Sequence, residues 1–263
     1  MIDRKDHPGA LAFRDRTFLD SDDARSVRIL AEYLKPLARF RDLNIQDTIV
    51  FFGSARLQPD GPLGLYYAAA RELARLITEW AASLPGQGQR FVVCSGGGGG
   101  IMQAANQGAA DAGGRSIGLN IGLPHEQRPN PFITPELCLE FRYFFMRKLW
   151  FAHPARAMIA FPGGFGTLDE LFEILTLSQT RKLSRPIHVL LYGTEYWREV
   201  VNFEALARHG MIDPADLNLF RWVDTPAEAM QILVEELLPE EPEPIPGFAR
   251  SRGPDCDPEE TLP

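Results

Sequence analysis

Ten residues, FPGGFGTLDE at positions 161–170, place three glycines, a threonine and two carboxylates between two apolar stretches. Ala157-Met158-Ile159-Ala160 leads in, and Leu171-Phe172-Glu173-Ile174-Leu175 follows. The first stretch reads as a buried strand and the second as the start of a helix. A helix N-terminus presents unpaired N–H groups and a partial positive charge, and glycine lets the backbone approach a ligand closely. Together they form an anion cradle, and phosphate is its usual guest. Asp169 and Glu170 beside such a cradle need a cation between them and the anion. The nearest upstream candidates are Arg147 and Lys148, within YFFMRKLW. Glu173, three residues beyond Glu170, is a weaker acidic candidate on the same helical face. A bland alternative also fits: Thr167-Leu168-Asp169-Glu170 matches S/T-x-x-E, a capping box in which Thr167 caps the helix and Glu170 reaches back to it.

A second glycine run sharpens the first. Phe91-Val92-Val93-Cys94 reads as a strand and runs into Ser95 and five consecutive glycines, Gly96 to Gly100. A third loop, Gly53-Ser54-Ala55-Arg56, follows the strand-like Thr48-Ile49-Val50-Phe51-Phe52. In an open parallel sheet, ligands bind beyond the carboxyl ends of the strands. Two glycine-rich loops at that edge, both opening helices, argue for a phosphate ligand over simple tight turns. The dinucleotide fingerprint G-x-G-x-x-G/A fails, because Ile101, Met102 or Gln103 falls where Gly or Ala is required. No G-x-x-x-x-G-K-[ST] occurs either. A mononucleotide or a sugar phosphate remains.

The elements that must position these residues alternate. A helix with Val27, Leu30, Leu34 and Leu37 at helical spacing, capped from Ser21-Asp22-Asp23, precedes the first strand. Helices over 65–84, 101–112, 143–152, 167–178, 195–207 and 226–238 alternate with strands over 48–52, 91–94, 116–119, 137–139, 157–161, 187–191 and 220–223. A proline-rich connection runs from Pro124 to Pro135. This pattern predicts an α/β fold, Rossmann-like and doubly wound, with a mostly parallel sheet covered by helices on both faces. Residues 1–45 form a polar lead-in and a helix, 46–240 the Rossmann-like domain, and 241–263 an acidic, proline-rich segment expected to be disordered.

Composition closes off other classes. The chain has 263 residues, 45% of them hydrophobic, and a formal net charge of -8, which disfavours a general nucleic-acid binder. No apolar run approaches the ~20 residues that cross a bilayer, and the start shows no secretory pattern. The 3 cysteines and 5 histidines show neither disulfide nor metal-ligand spacing. These features predict a cytoplasmic protein with no metal and no cofactor.

The segments SGGGGGIMQAA, FFMRK and FPGGFGTLDE, in this order, resemble the LOG ("Lonely Guy") family. Its hallmark PGGxGTxxE is met by Pro162, Gly163, Gly164, Gly166, Thr167 and Glu170, and the likeness extends over roughly Ile49 to Trp197. GLNIGLPHEQRPNPFITPEL and GIMQAAN resemble the longer bacterial branch, although Gly99 stands where many of its members have proline. The resemblance implies a Rossmann-like homodimer that hydrolyses the N-glycosidic bond of nucleoside 5′-monophosphates, cytokinin riboside monophosphates or AMP, to free base and ribose 5-phosphate. Carried onto this sequence, it implies Arg147 and Glu170 as the catalytic pair. Gly163, Gly164, Gly166 and Thr167 would hold the phosphate. Gly53, Ser54, Gly97, Gly98, Gly99, Gly100 and Met102 would line the nucleotide site, and Lys148 matches the basic residue after the arginine. A carboxylate beside the ribose suits the oxocarbenium-like transition state of glycoside cleavage.

Two other functions stay on the table. A carrier of a phosphorylated cofactor could use the same fold without catalysis. The lysine decarboxylase label often attached to this family would need pyridoxal phosphate on a Schiff-base lysine, and only Lys148 and Lys182 lie near the glycine loops.

Overall fold

The computed structural model describes residues 11–85, 89–122 and 128–238. The segment 241–263 and part of the 124–135 connection lie outside them.

Short helix α1 (Arg16–Asp20) and α2 (Arg25–Asp42) lead into β1 (Thr48–Phe52). There follow α3 (Gly64–Ser83), β2 (Val92–Ser95), α4 (Ile101–Asp111), β3 (Ser116–Ile121) and β4 (Cys138–Phe141). Then come α5 (Phe144–Ala152), β5 (Ala155–Ala160), α6 (Phe165–Gln179) and β6 (His188–Tyr192). The order closes with α7 (Thr194–Val200), α8 (Phe203–Arg208), β7 (Phe220–Val223) and α9 (Pro226–Leu237). The seven strands pair in parallel in the order β4-β3-β2-β1-β5-β6-β7. The expected α/β doubly wound sheet is therefore present.

Alternation along each strand splits the core into two layers. In β1, Val50 and Phe52 face the layer of α2, α5, α6 and α7, with Phe40, Trp150, Leu171 and Trp197. Ile49 and Phe51 face the layer of α3, α4 and α9, with Leu73, Ile77, Ala104 and Leu233. Small side chains on α4 let it lie close to α3. A Cβ on Gly108 would run into the Arg71 carbonyl. The chain grows from β1 outward to β4, then crosses back to place β5 on the other side of β1. That reversal makes the β1/β5 boundary the topological switch point, where a crevice opens at the carboxyl ends.

Three local expectations need correction. Helix α2 has no side-chain cap; its N-cap is Ala24, and Ser21 instead closes α1. Of the expected apolar stripe only Leu37 is buried, while Val27, Leu30 and Leu34 are exposed. The face turned inward carries Ile29, Tyr33, Leu37 and Phe40, a second stripe at helical spacing whose aromatic rings meet Trp150. The helix expected over 195–207 is broken into α7 and α8. The Asn202 side chain accepts from Ala205 N at 2.8 Å and starts a new helix.

Candidate functional site

The three carboxyl-edge loops meet. Ser54 N donates to Pro162 O at 3.0 Å, and Ile101 N donates to Ser54 O at 3.1 Å, so the loop after β1 is stitched to both glycine loops. Gly53 packs against the Ile101 side chain and Gly100 against the Ser54 carbonyl; a Cβ at either would overlap these atoms. Gly97 and Gly100 adopt φ of +74° and +59°, which only glycine holds without strain. Gly99 has ordinary space, its Cβ meeting only the Ala55 carbonyl at 3.4 Å, so this position tolerates another residue.

Buried amides fix the loop after β2. Ser95 Oγ donates to Asn106 Oδ1 at 2.7 Å and accepts from Gly97 N at 3.1 Å. Asn130 Nδ2 donates to Gly97 O, Gly98 O and Asn106 Oδ1 at 3.1, 3.0 and 2.9 Å. Asn120, also buried, lies against Gly97. The sequence shows none of these three asparagines as a site residue, because each has partners at least 11 positions away.

The loop after β5 is built differently. Gly163 is buried and held by Tyr196 Oη, which donates to its carbonyl at 2.7 Å. Gly164, Phe165 and Gly166 are exposed, and neither Gly164 nor Gly166 has any atom within 4 Å of the place of a Cβ. Gly164 is the N-cap of α6 and supplies no side-chain cap. Thr167 therefore sits in the first turn rather than at the cap, and Glu170 lies one turn further on. The S/T-x-x-E capping box is not formed, and the bland explanation of Glu170 falls with it. Thr167 instead packs its side chain against Gly163.

Glu170 is 6% exposed and makes no hydrogen bond or ion pair among the described residues. Burial raises its carboxyl pKa to about 7, although Arg147 and then Lys148 pull the other way. Arg147, on α5, donates from Nε to Leu119 O at 2.7 Å and from Nη2 to Gly96 O at 3.5 Å. Its guanidinium also lies 4.9 Å from the Phe151 ring centre. Burial lowers its pKa while the Glu170 charge supports it. A Cβ on Gly96 would strike Arg147 and Met102, which places both beside the β2 loop. Lys148 is spoken for: its Nζ lies 2.8 Å from Asp169 and 2.9 Å from Glu173. Burial alone would lower its pKa, but those two carboxylates outweigh it and keep the ammonium charged.

A residue far outside the sequence motifs holds α5 in place. Glu32 on α2 accepts from Arg142 N at 2.8 Å and from Tyr143 N at 3.2 Å, holding the two residues that lead into α5, whose first turn has no side-chain cap. Its backbone carbonyl accepts from Trp150 Nε1 at 3.0 Å.

A family model described as "Possible lysine decarboxylase" matches residues 102–233. A cytokinin riboside 5'-monophosphate phosphoribohydrolase of Arabidopsis thaliana is 31% identical over 198 residues, covering 74% of this chain and 82% of its own length. The chain belongs to the LOG family. Other members similar to it include a probable cytokinin riboside 5'-monophosphate phosphoribohydrolase of Oryza sativa subsp. japonica, 29% identical over 73% of this chain and 77% of that protein. An enzyme of the same name from Rhodococcoides fascians is 29% identical over 56% of this LOG chain and 83% of its own. Among solved structures, the Moco carrier protein of Chlamydomonas reinhardtii aligns with a TM-score of 0.48 and 20% identity, over 74% of this chain and 99% of that one.

Proposed function

We propose that this LOG-family protein hydrolyses the N-glycosidic bond of nucleoside 5′-monophosphates, AMP or a cytokinin riboside monophosphate, to free base and ribose 5-phosphate. The observation that carries this reading is Glu170, a buried carboxylate without a structural partner beside two glycine loops. The names of its relatives support the substrate class.

In this reading the first turn of α6, Gly164 to Thr167, exposed as far as Gly166, receives the 5′-phosphate on its free N–H groups. Gly53, Ser54, Gly97 to Gly100 and Met102 form the wall on which the nucleoside lies. As the bond from C1′ to the base breaks, positive charge builds on the ribose, and ionised Glu170 stabilises it. The same carboxylate orients water for attack at C1′ and accepts its proton, while the departing base gains one. Arg147 keeps Glu170 ionisable despite its burial and presents the rest of its guanidinium to the nucleotide. Lys148 acts indirectly, by tying α5 to α6 through Asp169 and Glu173.

A pure carrier has no use for an unpartnered acid next to bound phosphate. A Schiff-base role for Lys148 is disfavoured as well, since two carboxylates hold its amine protonated and a nucleophilic lysine must be neutral. We also assign a homodimer as the working assembly. Val27, Leu30 and Leu34 on α2, Phe144 and Phe145 on α5, and Phe165 on α6 leave apolar surface exposed around the site.

The test is a nucleotide panel of AMP, GMP, CMP and isopentenyl-AMP, with free base and ribose 5-phosphate quantified. At least one nucleotide should be cleaved, and Arg147→Ala should abolish turnover on it. Failure to release base from any of the four, or normal rates in Arg147→Ala, would remove the proposal.

A further inference from the structure

The opposite edge of the sheet holds a cavity of about 460 Å³ at the amino ends of β6 and β7. Its size lies within the range of small-molecule sites, roughly 300–1,000 Å³. Arg181, Arg185, Arg221 and His188 line it, and Glu236 is the one carboxylate among its lining residues. Glu236 is turned to His188, 3.5 Å from Nδ1. Arg185 is buried and reaches Asp47 at 2.8 Å, but Asp47 is shared with Arg90 at 3.1 Å. Arg181 and Arg221 form no ion pair among the described residues. In the wall, Ser178 Oγ and His188 Nε2 are buried without a hydrogen-bond partner among the described residues. A concave, cation-rich pocket on a chain of net charge -8 runs against the overall charge balance.

From this juxtaposition we propose a second anion site, distinct from the glycine loops, that binds a small phosphomonoester between Arg181 and Arg221. Arginine suits this ligand, because its planar fork donates two hydrogen bonds to one phosphate. Ser178 Oγ in the wall supplies a further donor. The site does not depend on the hydrolytic reading, because none of its residues belongs to the carboxyl edge.

Isothermal titration with ribose 5-phosphate tests it on the full chain. Wild type should bind two equivalents per chain. Arg181→Gln/Arg221→Gln should retain one equivalent, weaken the other at least tenfold, and hydrolyse AMP at the wild-type rate. Gly164→Asp, which places a charge in the open α6 turn, should lose the equivalent that the arginine variant keeps. One equivalent in wild type, abolished by Gly164→Asp, would overturn the second site; so would two equivalents both indifferent to the arginine substitutions. Base release failing while the arginine-dependent equivalent persists would sink the hydrolase reading and leave this site standing.

Discussion

The two glycine loops of this sheet edge look alike in sequence and differ in construction. The loop after β2 is buried, carries two positive-φ glycines, and is tied down by Ser95, Asn106 and Asn130. The loop after β5 is anchored at Pro162 and Gly163 and then opens, with Gly164 and Gly166 meeting nothing. One is a rigid wall in which Gly96, Gly97 and Gly100 have no room for a side chain. The other is a free helix terminus whose glycines leave room for a guest. Glycine runs therefore carry two meanings, and the surrounding packing, not the glycine count, tells them apart.

The largest effect is expected where the open loop meets chemistry. Glu170→Gln should lower turnover by about 10²–10⁴-fold, the usual worth of a positioned acid–base group. Because Glu170 holds no capping contact, its fold should survive. Burial has raised this carboxyl, so the folded protein binds its proton more tightly than the unfolded chain does. Stability contributed by the neutral form is present at low pH and is lost as pH rises through about 7. Glu170→Gln removes that loss, and at pH 8 its Tm should rise by roughly 2–4 °C, the shift that about 1 kcal/mol produces in a domain of this size. A Tm well below wild type would show that Glu170 is structural.

The next effect separates the loops directly. Gly97→Ala forces a positive φ on a side chain that also meets Asn120, and should cost about 1–3 kcal/mol. Asn130→Ala takes the side-chain partner from the Gly98 carbonyl, while Gly97 O keeps the Asn130 backbone N–H, and should cost a similar ~1–3 kcal/mol. Gly164→Ala should leave urea midpoints unchanged while shifting KM. Equal destabilisation by Gly97→Ala and Gly164→Ala would erase the distinction between wall and cradle.

A smaller effect is expected at Glu32. Glu32→Ala removes two hydrogen bonds to the chain entering α5 and should cost about 0.5–1.5 kcal/mol, with kcat reduced severalfold as Arg147 loses its fixed position. Glu32→Gln, which still accepts hydrogen bonds, should restore most of the rate. Rates for both variants equal to wild type would leave Glu32 a stabilising contact without bearing on the site.

Much of this was legible in the chain itself. Short β-branched runs ending in glycine marked the strands, and FFMRK and PGGFGTLDE marked where Arg147 and Glu170 converge. The unread part was non-local. Nothing near Asn106, Asn120 or Asn130 announces its distant partners, since Asn106 and Asn130 bond to each other and to the β2 loop, and Asn120 reaches Leu139 O on β4. Glu32 holds the entry to a helix more than a hundred residues away. Helix α2 offered two apolar stripes, and only the tertiary position of Trp150 selects the one with Tyr33 and Phe40. The start of α6 was misread because Thr167 and Glu170 fit a capping pattern, whereas the chain turns helical already at Phe165.

The central claim is that an ionised Glu170, buried and poised near neutrality, drives cleavage beside the open glycine turn. Its most direct test is the pH dependence of kcat/KM for adenine release from AMP by the wild-type protein. The rate should climb with pH and level off above a single inflection near 7. A flat profile between pH 5.5 and 8.5, or an inflection near the ordinary carboxylate value, would contradict the account.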